Sequence, residues 1–237
     1  MSSKTEFDKY AMGYKNISGL KLYNYKKAVE KTNIIGYSAA GPVVSMTPHV
    51  VLEATKNMAI MSVFDRLMQD RILMLGMEIT EEVANILCAQ LLFLDSIDQS
   101  ADINLYLNSG GGNVVGGNSI IDVMELISAP VATTNMGTAA SMAAVILACG
   151  NKGKRSALKR SRTMIHQISG GCGGDYTEMS IQLSEAKKLR DGLYSTLAER
   201  TGHSFEEIEK DCDRDNFMSA QEALEYGIVD HILIKKK

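Results

Sequence analysis

Short apolar runs that each give way to a segment of helical periodicity constrain this chain more than any other feature. Ile72-Leu73-Met74-Leu75 is continuous, stops at Gly76 and has the length of a buried strand rather than of a helix. Thr80 then stands where a hydroxyl caps a helix, Glu81 and Glu82 lie in the first turn against the positive end of its dipole, and Val83, Ile86, Leu87, Leu91 and Leu94 recur at helical spacing. The pattern recurs downstream: a strand over 103–107, a glycine run, a helix over 114–127, a third strand over 131–134, and a further helix beginning near Ala139 with Thr138 as its cap. Strands alternating with helices in this way specify parallel βαβ units and an α/β fold.

The C-terminal third continues the theme. A long helix is predicted over 175–200, with Met179, Leu183, Ala186, Leu193 and Leu197 on one stripe, ending at Gly202. Ser204 with Glu207 and Ser219 with Glu222 have the spacing of capping boxes, in which hydroxyl and carboxylate each satisfy a free backbone N–H at a helix start. Gly227 closes the second of these helices, and a last strand is expected over 228–234. Residues 1–45 stand apart, with five of the nine tyrosines and seven lysines against three acids. They read as an N-terminal extension, either a flexible or cleaved arm or a folded element, ahead of one domain over 46–237.

Composition removes several function classes. A formal net charge of -3 gives no general reason to expect nucleic acid as a partner. The longest apolar runs, 86–94 and 142–149, fall well short of the ~20 residues that span a bilayer, so no membrane partner is expected. The start lacks the apolar stretch of a secretory signal and carries acidic residues, which points to a cytoplasmic protein. Cys88, Cys149, Cys172 and Cys212 form no C-x-x-C pair and have no histidine at zinc spacing, so they read as reduced thiols and no metal site is expected.

Two segments carry candidate chemistry. Asn108-Ser109-Gly110-Gly111-Gly112-Asn113-Val114 lies where a strand hands over to a helix, a position from which α/β sheets present ligands. Asn118 occupies the place of a phosphate-binding lysine, which argues against a nucleotide site and leaves a plain tight turn or bare backbone amides facing a substrate oxygen. Ser141 sits among small residues at the next strand–helix junction. It reads either as a helix cap or, with Thr138 capping, as a hydroxyl in the first helical turn. As a nucleophile it would need a base. Of the four histidines, His49 lies in the irregular N-terminal region, His203 follows a helix-ending glycine and His231 sits in the last strand. His166 closes an apolar run just before the loop Gly170-Gly171-Cys172-Gly173-Gly174. It reads either as a site residue or as a hydrogen-bonded core residue, and spacing alone does not choose an acid.

These segments together resemble one family. Gly137-Thr138-Ala139-Ala140-Ser141-Met142, Met164-Ile165-His166-Gln167 and Asp213-Arg214-Asp215-Asn216-Phe217-Met218-Ser219-Ala220-Gln221-Glu222-Ala223 are similar to the proteolytic subunit family of the Clp protease. Phe64-Asp65-Arg66-Leu67-Met68, Ala89-Gln90-Leu91-Leu92-Phe93-Leu94 and Glu225-Tyr226-Gly227-Ile228-Val229-Asp230 match as well. The resemblance implies a serine endopeptidase with Ser141 as nucleophile, His166 as general base and Asp215 as the orienting acid. It also implies an oxyanion hole from the amides of Gly112 and Met142, and main-chain bonds to extended substrate at Asn113 and Val114. The implied fold is crotonase-like, with a protruding handle helix beginning near Asp175 and two seven-membered rings stacked face to face. Asp213 and Arg214 would couple ring contact to the alignment of Asp215. The implied partners are further copies of this chain or a paralogue in mixed rings, unfolded polypeptide, and an ATP-driven Clp unfoldase docking near Tyr106. ATP belongs to that partner, and this chain is expected to need no cofactor. Gly110 stands where the family commonly has proline, and Ile168-Ser169 replace the usual proline-leucine, which loosens two loops. Two other classes share the fold: a ring subunit that is catalytically silent, and an acyl-CoA hydratase or isomerase, which uses paired amides but no serine.

Overall fold

The computed structural model describes residues 49–53 and 58–234, in two compact units divided between Gln69 and Asp70. The extension over 1–45 lies outside the described residues. In the first unit β1 (His49–Glu53) and β2 (Met58–Ser62) pair antiparallel, from His49 opposite Ser62 to Glu53 opposite Met58. His49 thus belongs to a strand. Helix α1 (Val63–Gln69) follows at once, and Ser62 and Asp65 exchange reciprocal backbone-to-side-chain bonds of 3.1 and 3.0 Å at its start.

The second unit is built on a parallel-dominated sheet. β3 (Ile72–Leu75), β4 (Ile103–Ser109), β5 (Val131–Ala140), β6 (Arg155–Leu158) and β9 (His231–Leu233) lie side by side, all parallel. β7 (Arg162–Ile165) joins the far end of β5 in parallel and pairs antiparallel with β8 (Asn216–Ser219). Helices α2 (Glu81–Ile97) and α3 (Val114–Leu126) form the crossovers, and α4 (Met142–Ala148) runs through the core with every residue buried. Ile103, Leu105, Leu107 and Val131 are completely buried, as strands covered on both faces require. Each such side chain contributes about 1.5–3 kcal/mol.

Local signals explain most element ends. The Thr80 hydroxyl accepts from Val83 N at 3.3 Å and starts α2. Arg71, at φ 61, wraps its guanidinium around the end of α2 and donates to the carbonyls of Leu94, Asp98, Ala101 and Asp102. α5 (Tyr176–Thr201), α6 (Phe205–Asp211) and α7 (Ala220–Glu225) each begin in a capping box, at Asp175, Ser204 and Ser219. Arg155 is buried between β6 and β9, where it grips Asp230 with Nε at 2.9 Å and Nη2 at 2.6 Å.

Four details differ from the sequence expectations. The buried face of α2 is Ala84, Leu87, Leu91 and Leu94, while Ile86 points outward at 59 % exposure, because this helix carries a second apolar face with Phe93 and Ile97. β5 runs on to Ala140 rather than stopping at Thr134, so the next helix begins at Met142 and Thr138 lies within the strand. Helix α5 is buried only towards its C-terminal end, at Leu193, Tyr194 and Leu197, and Leu183 is exposed. The last strand is confined to His231–Leu233, and Ile228 and Val229 are buried in the turn before it.

Candidate active site

The end of β5 and the end of β7 lie side by side, and each delivers one reactive side chain. Thr138, Ala139 and Ala140 pair with Arg162, Thr163 and Met164, and Ser141 N closes the ladder by donating to Met164 O at 2.8 Å. Ser141 then turns sharply, at φ 54 and ψ -128, into α4. A non-glycine residue there is strained and persists only where its surroundings hold it. The serine occupies the N-cap position yet makes no capping bond. Its hydroxyl lies 2.9 Å from His166 Nε2 instead. The cap reading thus gives way: the position is that of a cap, and the hydroxyl is turned to the imidazole.

His166 is the residue immediately after β7, with a side chain that is 21 % exposed. Its other nitrogen, Nδ1, lies 3.3 Å from Asp215 Oδ1, just before β8. A proton on Nδ1 facing that carboxylate leaves the Nε2 lone pair toward Ser141, the arrangement in which imidazole withdraws a hydroxyl proton. Asp215 is 60 % exposed, so water screens its charge and its backbone must supply the alignment. That backbone is anchored near His166, since Gln167 Nε2 donates to Asp213 O at 2.7 Å. Asp213 and Arg214 themselves are exposed and only loosely paired at 3.7 Å.

The glycine turn closes the site from the β4 side. Ile79 N donates to Gly111 O at 2.8 Å and Asn113 N to Ile79 O at 2.7 Å, which pins the turn beneath α2. Gly112, at φ 144, passes so close to the Ile79 backbone that a Cβ would collide with its carbonyl. Gly111, at φ 96, touches the serine turn itself. A Cβ there would lie 2.7 Å from both Ala140 O and Ser141 Cβ, and 3.0 Å from Met142 N. The amide-bearing backbones of residues 112 and 142 are thereby brought to one place beside the Ser141 hydroxyl. Asn113 caps α3, its Oδ1 accepting from Gly116 N at 2.7 Å, and Val114 lines the cleft.

Beside Ser141 is a small cavity of about 60 Å³, with an apolar wall from Val145, Ile165, Leu193 and Leu197 and a rim that includes Gln167, Ile168 and Ser169. Tyr194 and Gln167 line both this cavity and an open cleft of about 440 Å³ that holds Arg190, Glu209 and Lys210. Burial pushes the Tyr194 phenol above its ordinary range, so its ring stays neutral. Cys149 and Cys212 are buried and their thiols are pushed up to about 12 by desolvation, which makes them unreactive. Among the described residues no three His, Cys, Asp or Glu side chains cluster as metal ligands, and no helix is long and apolar enough to cross a membrane.

Sequence reasoning found Ser141, His166, Asp215, Gly112 and Met142, and the structure brings them together. Ser109, Gly111 and Gln167 fall inside the quoted motifs, which assign them no role of their own. Ser109 is buried, donates to Met77 O at 2.6 Å and accepts from Gly111 N at 3.1 Å, so it shapes the glycine turn. A hydroxyl residue directly before three glycines is the available signal, as a local side-chain-to-backbone turn. Gln167 carries no such signal, because its partner is distant in the chain.

Residues 55–236 match the family model described as Clp protease. The chain is 49% identical over 191 residues to an ATP-dependent Clp protease proteolytic subunit of Bacteroides fragilis, covering 81% of this chain and 92% of that protein. It is 43% identical over 231 residues to a protein of that description in Bacteroides thetaiotaomicron, and 43% identical over 232 residues to one in Porphyromonas gingivalis; each alignment covers 98% of this chain and 99% of the relative.

Proposed function

The chain belongs to the Clp protease family, and from that premise we propose that it is a serine endopeptidase subunit in which Ser141 attacks the scissile carbonyl. The observation that carries the reading is the Ser141 Oγ to His166 Nε2 contact of 2.9 Å at a strained turn that does no capping. His166 takes the serine proton as the C–O bond forms and returns it to the leaving amine; water then repeats the sequence in reverse to release the acyl group. Asp215 holds the imidazole tautomer. The amides of Gly112 and Met142 donate to the oxyanion, and Gly111 supports this role by letting the two backbones approach. The Asn113 N–H is given to Ile79 O, so the Asn113 carbonyl and the Val114 backbone are what this segment offers to extended peptide, and the apolar wall beside Ser141 favours an apolar side chain at the cleaved bond.

The broader reading follows from the family. The subunit works with a Clp-type ATPase that consumes the ATP, needs no cofactor of its own, and degrades unfolded polypeptide in the cytoplasm. The crotonase-like fold closes into two stacked seven-membered rings. Leu183 and Ile181, exposed on the N-terminal half of α5, suit a handle that meets the opposite ring, and Asp213 and Arg214 would relay that contact to Asp215. The test is native mass spectrometry with a fluorogenic peptide assay on the same sample, with and without a Clp ATPase and tagged substrate. A tetradecamer that cleaves the peptide alone and the tagged protein only with ATPase and ATP supports the reading. Full assembly with no cleavage of either, reproduced with an active-site-competent control ring, sinks it.

A further inference from the structure

Strand β5 changes partner partway along its length. Thr133, Thr134 and Asn135 pair with Arg155, Ser156 and Ala157 of β6, whereas Thr138, Ala139 and Ala140 pair with Arg162, Thr163 and Met164 of β7. On its other edge the register against β4 shifts, from Leu107 opposite Asn135 to Ser109 opposite Ala139. Met136 and Gly137 therefore fall between ladders on both edges, a bulge placed just before the residues that carry Ser141.

Two carboxamides occupy this gap. Asn135 is completely buried; its Oδ1 accepts from Gly137 N at 3.1 Å, and its Nδ2 donates to Arg162 O at 2.9 Å and to Thr163 Oγ1 at 3.1 Å. From the β4 side, Asn108 Oδ1 accepts from Thr138 N at 3.0 Å, and a Cβ on residue 137 would collide with that oxygen, so the glycine makes room for it. Both amide hydrogens of Asn135 thus reach the strand that leads into His166, while its oxygen holds the strand that leads into Ser141.

The ladder joining those two strands is short, from Thr138 opposite Arg162 to Ala140 opposite Met164, plus the Ser141 N to Met164 O bond. Its β5 side is Thr138-Ala139-Ala140, whose small side chains add little packing to fix the register, and a slip of one residue turns every side chain to the other face. Buried and satisfied, the Asn135 bonds do not exchange with water, and they lock the open end of the ladder.

We propose that Asn135 is a positioning residue for the proteolytic reaction, bridging the two strands so that Ser141 and His166 keep their reactive separation. This rests on the reading of Ser141 as nucleophile and His166 as base. Misplacement by about 1 Å costs about 10²-fold in such a pair, so the effect belongs to the rate of the chemical step and not to substrate binding.

The test is the rate constant and final extent of Ser141 modification by an excess of a small fluorophosphonate, followed by mass on the assembled full chain. The two readouts separate the roles, because the extent counts folded sites and the rate constant reports their reactivity. Asn135→Leu, which fills the volume and removes all three bonds, is expected to lower the rate constant at least tenfold. Asn135→Asp, which keeps the acceptor for Gly137 N and, protonated in its buried place, retains one donor where Asn135 has two, is expected to fall between it and the unmodified chain. Thr163→Val is expected to slow labelling about threefold through one lost bond. Ile103→Ala, equally buried but at the far end of β4, is the control, lowering the melting temperature with no change in rate constant. The proposal is overturned if Asn135→Asp and Thr163→Val react at the unmodified rate, or if Asn135→Leu behaves like the control. Failure of the unmodified chain to label at Ser141 would instead remove the underlying reading, and the proposal with it.

Discussion

Gly111→Ala tests the claim that the glycine turn and the serine turn are built against each other. The added Cβ would sit 2.7 Å from Ala140 O and Ser141 Cβ and 3.0 Å from Met142 N, at a backbone φ of 96 that L side chains rarely adopt. The unfavourable backbone costs about 1–3 kcal/mol, and forcing a methyl into packed surroundings costs about 1–3 kcal/mol more. A total near 4 kcal/mol corresponds to a fall in melting temperature of roughly 8–16 °C for a domain of this size. If the turn relieves the clash by moving away, the Gly112 amide moves with it, and losing one oxyanion donor lowers kcat about 10²–10³-fold. Gly110→Ala is the matched comparison, since nothing lies within 4 Å of its added Cβ and its φ is not in the positive range. It is expected to be neutral or to stabilise by about 0.4–1 kcal/mol. Differential scanning fluorimetry with a fluorogenic peptide assay on both variants decides the matter. If Gly111→Ala melts within a degree of Gly110→Ala and cleaves at the unmodified rate, the two turns are not in contact and the account of the oxyanion site is wrong.

Asp230→Asn should destabilise by about 3–5 kcal/mol at neutral pH, because it leaves the buried Arg155 without its carboxylate. Burial alone would raise the Asp230 pKa, but bonds from the Arg155 side chain and backbone outweigh it and hold the group below its ordinary 3.8. The contribution is therefore present above that value and lost as pH falls through the lower folded pKa. Urea midpoints of the two proteins should converge below about pH 4; a constant gap from pH 7 to pH 3 would refute this. Tyr194→Ala takes away a ring that lines both the small cavity and the open cleft, and enlarges the space beside Ser141. In a peptide series, kcat/KM for Phe or Trp before the cleaved bond should rise relative to Leu. An unchanged ratio would mean that the ring does not limit the subsite.

The outer elements were legible because their signals are local. Thr80, Glu81 and Glu82 announce α2, and the serine–glutamate pairs announce α6 and α7, since a cap needs only neighbours in the chain. The centre was less legible. The last residues of β5, Asn135-Met136-Gly137-Thr138-Ala139-Ala140, lack the β-branched run of a strand interior, and the segment is extended because β7 and two asparagine side chains hold it. Thr138 and Ser141 are both plausible caps on local grounds. Neither caps: pairing with β7 keeps Thr138 in the strand and His166 draws the Ser141 hydroxyl away, contacts which no spacing reveals. In α2, outward Ile86 and inward Leu87 have the same chemistry, and helical period alone does not say which of two apolar faces is covered. The candidate triad was named from motif resemblance, whereas its approach to 2.9 and 3.3 Å depends on the β5–β7 ladder and on Gln167 tying down Asp213.

The most direct test of the central claim is the site of covalent modification when the assembled protein meets a fluorophosphonate, read by intact mass and peptide mapping. The account predicts one adduct per chain, on Ser141, absent in Ser141→Ala and greatly slowed in His166→Ala at unchanged assembly size. An adduct on another residue, or equal labelling of Ser141 with and without His166, would contradict it.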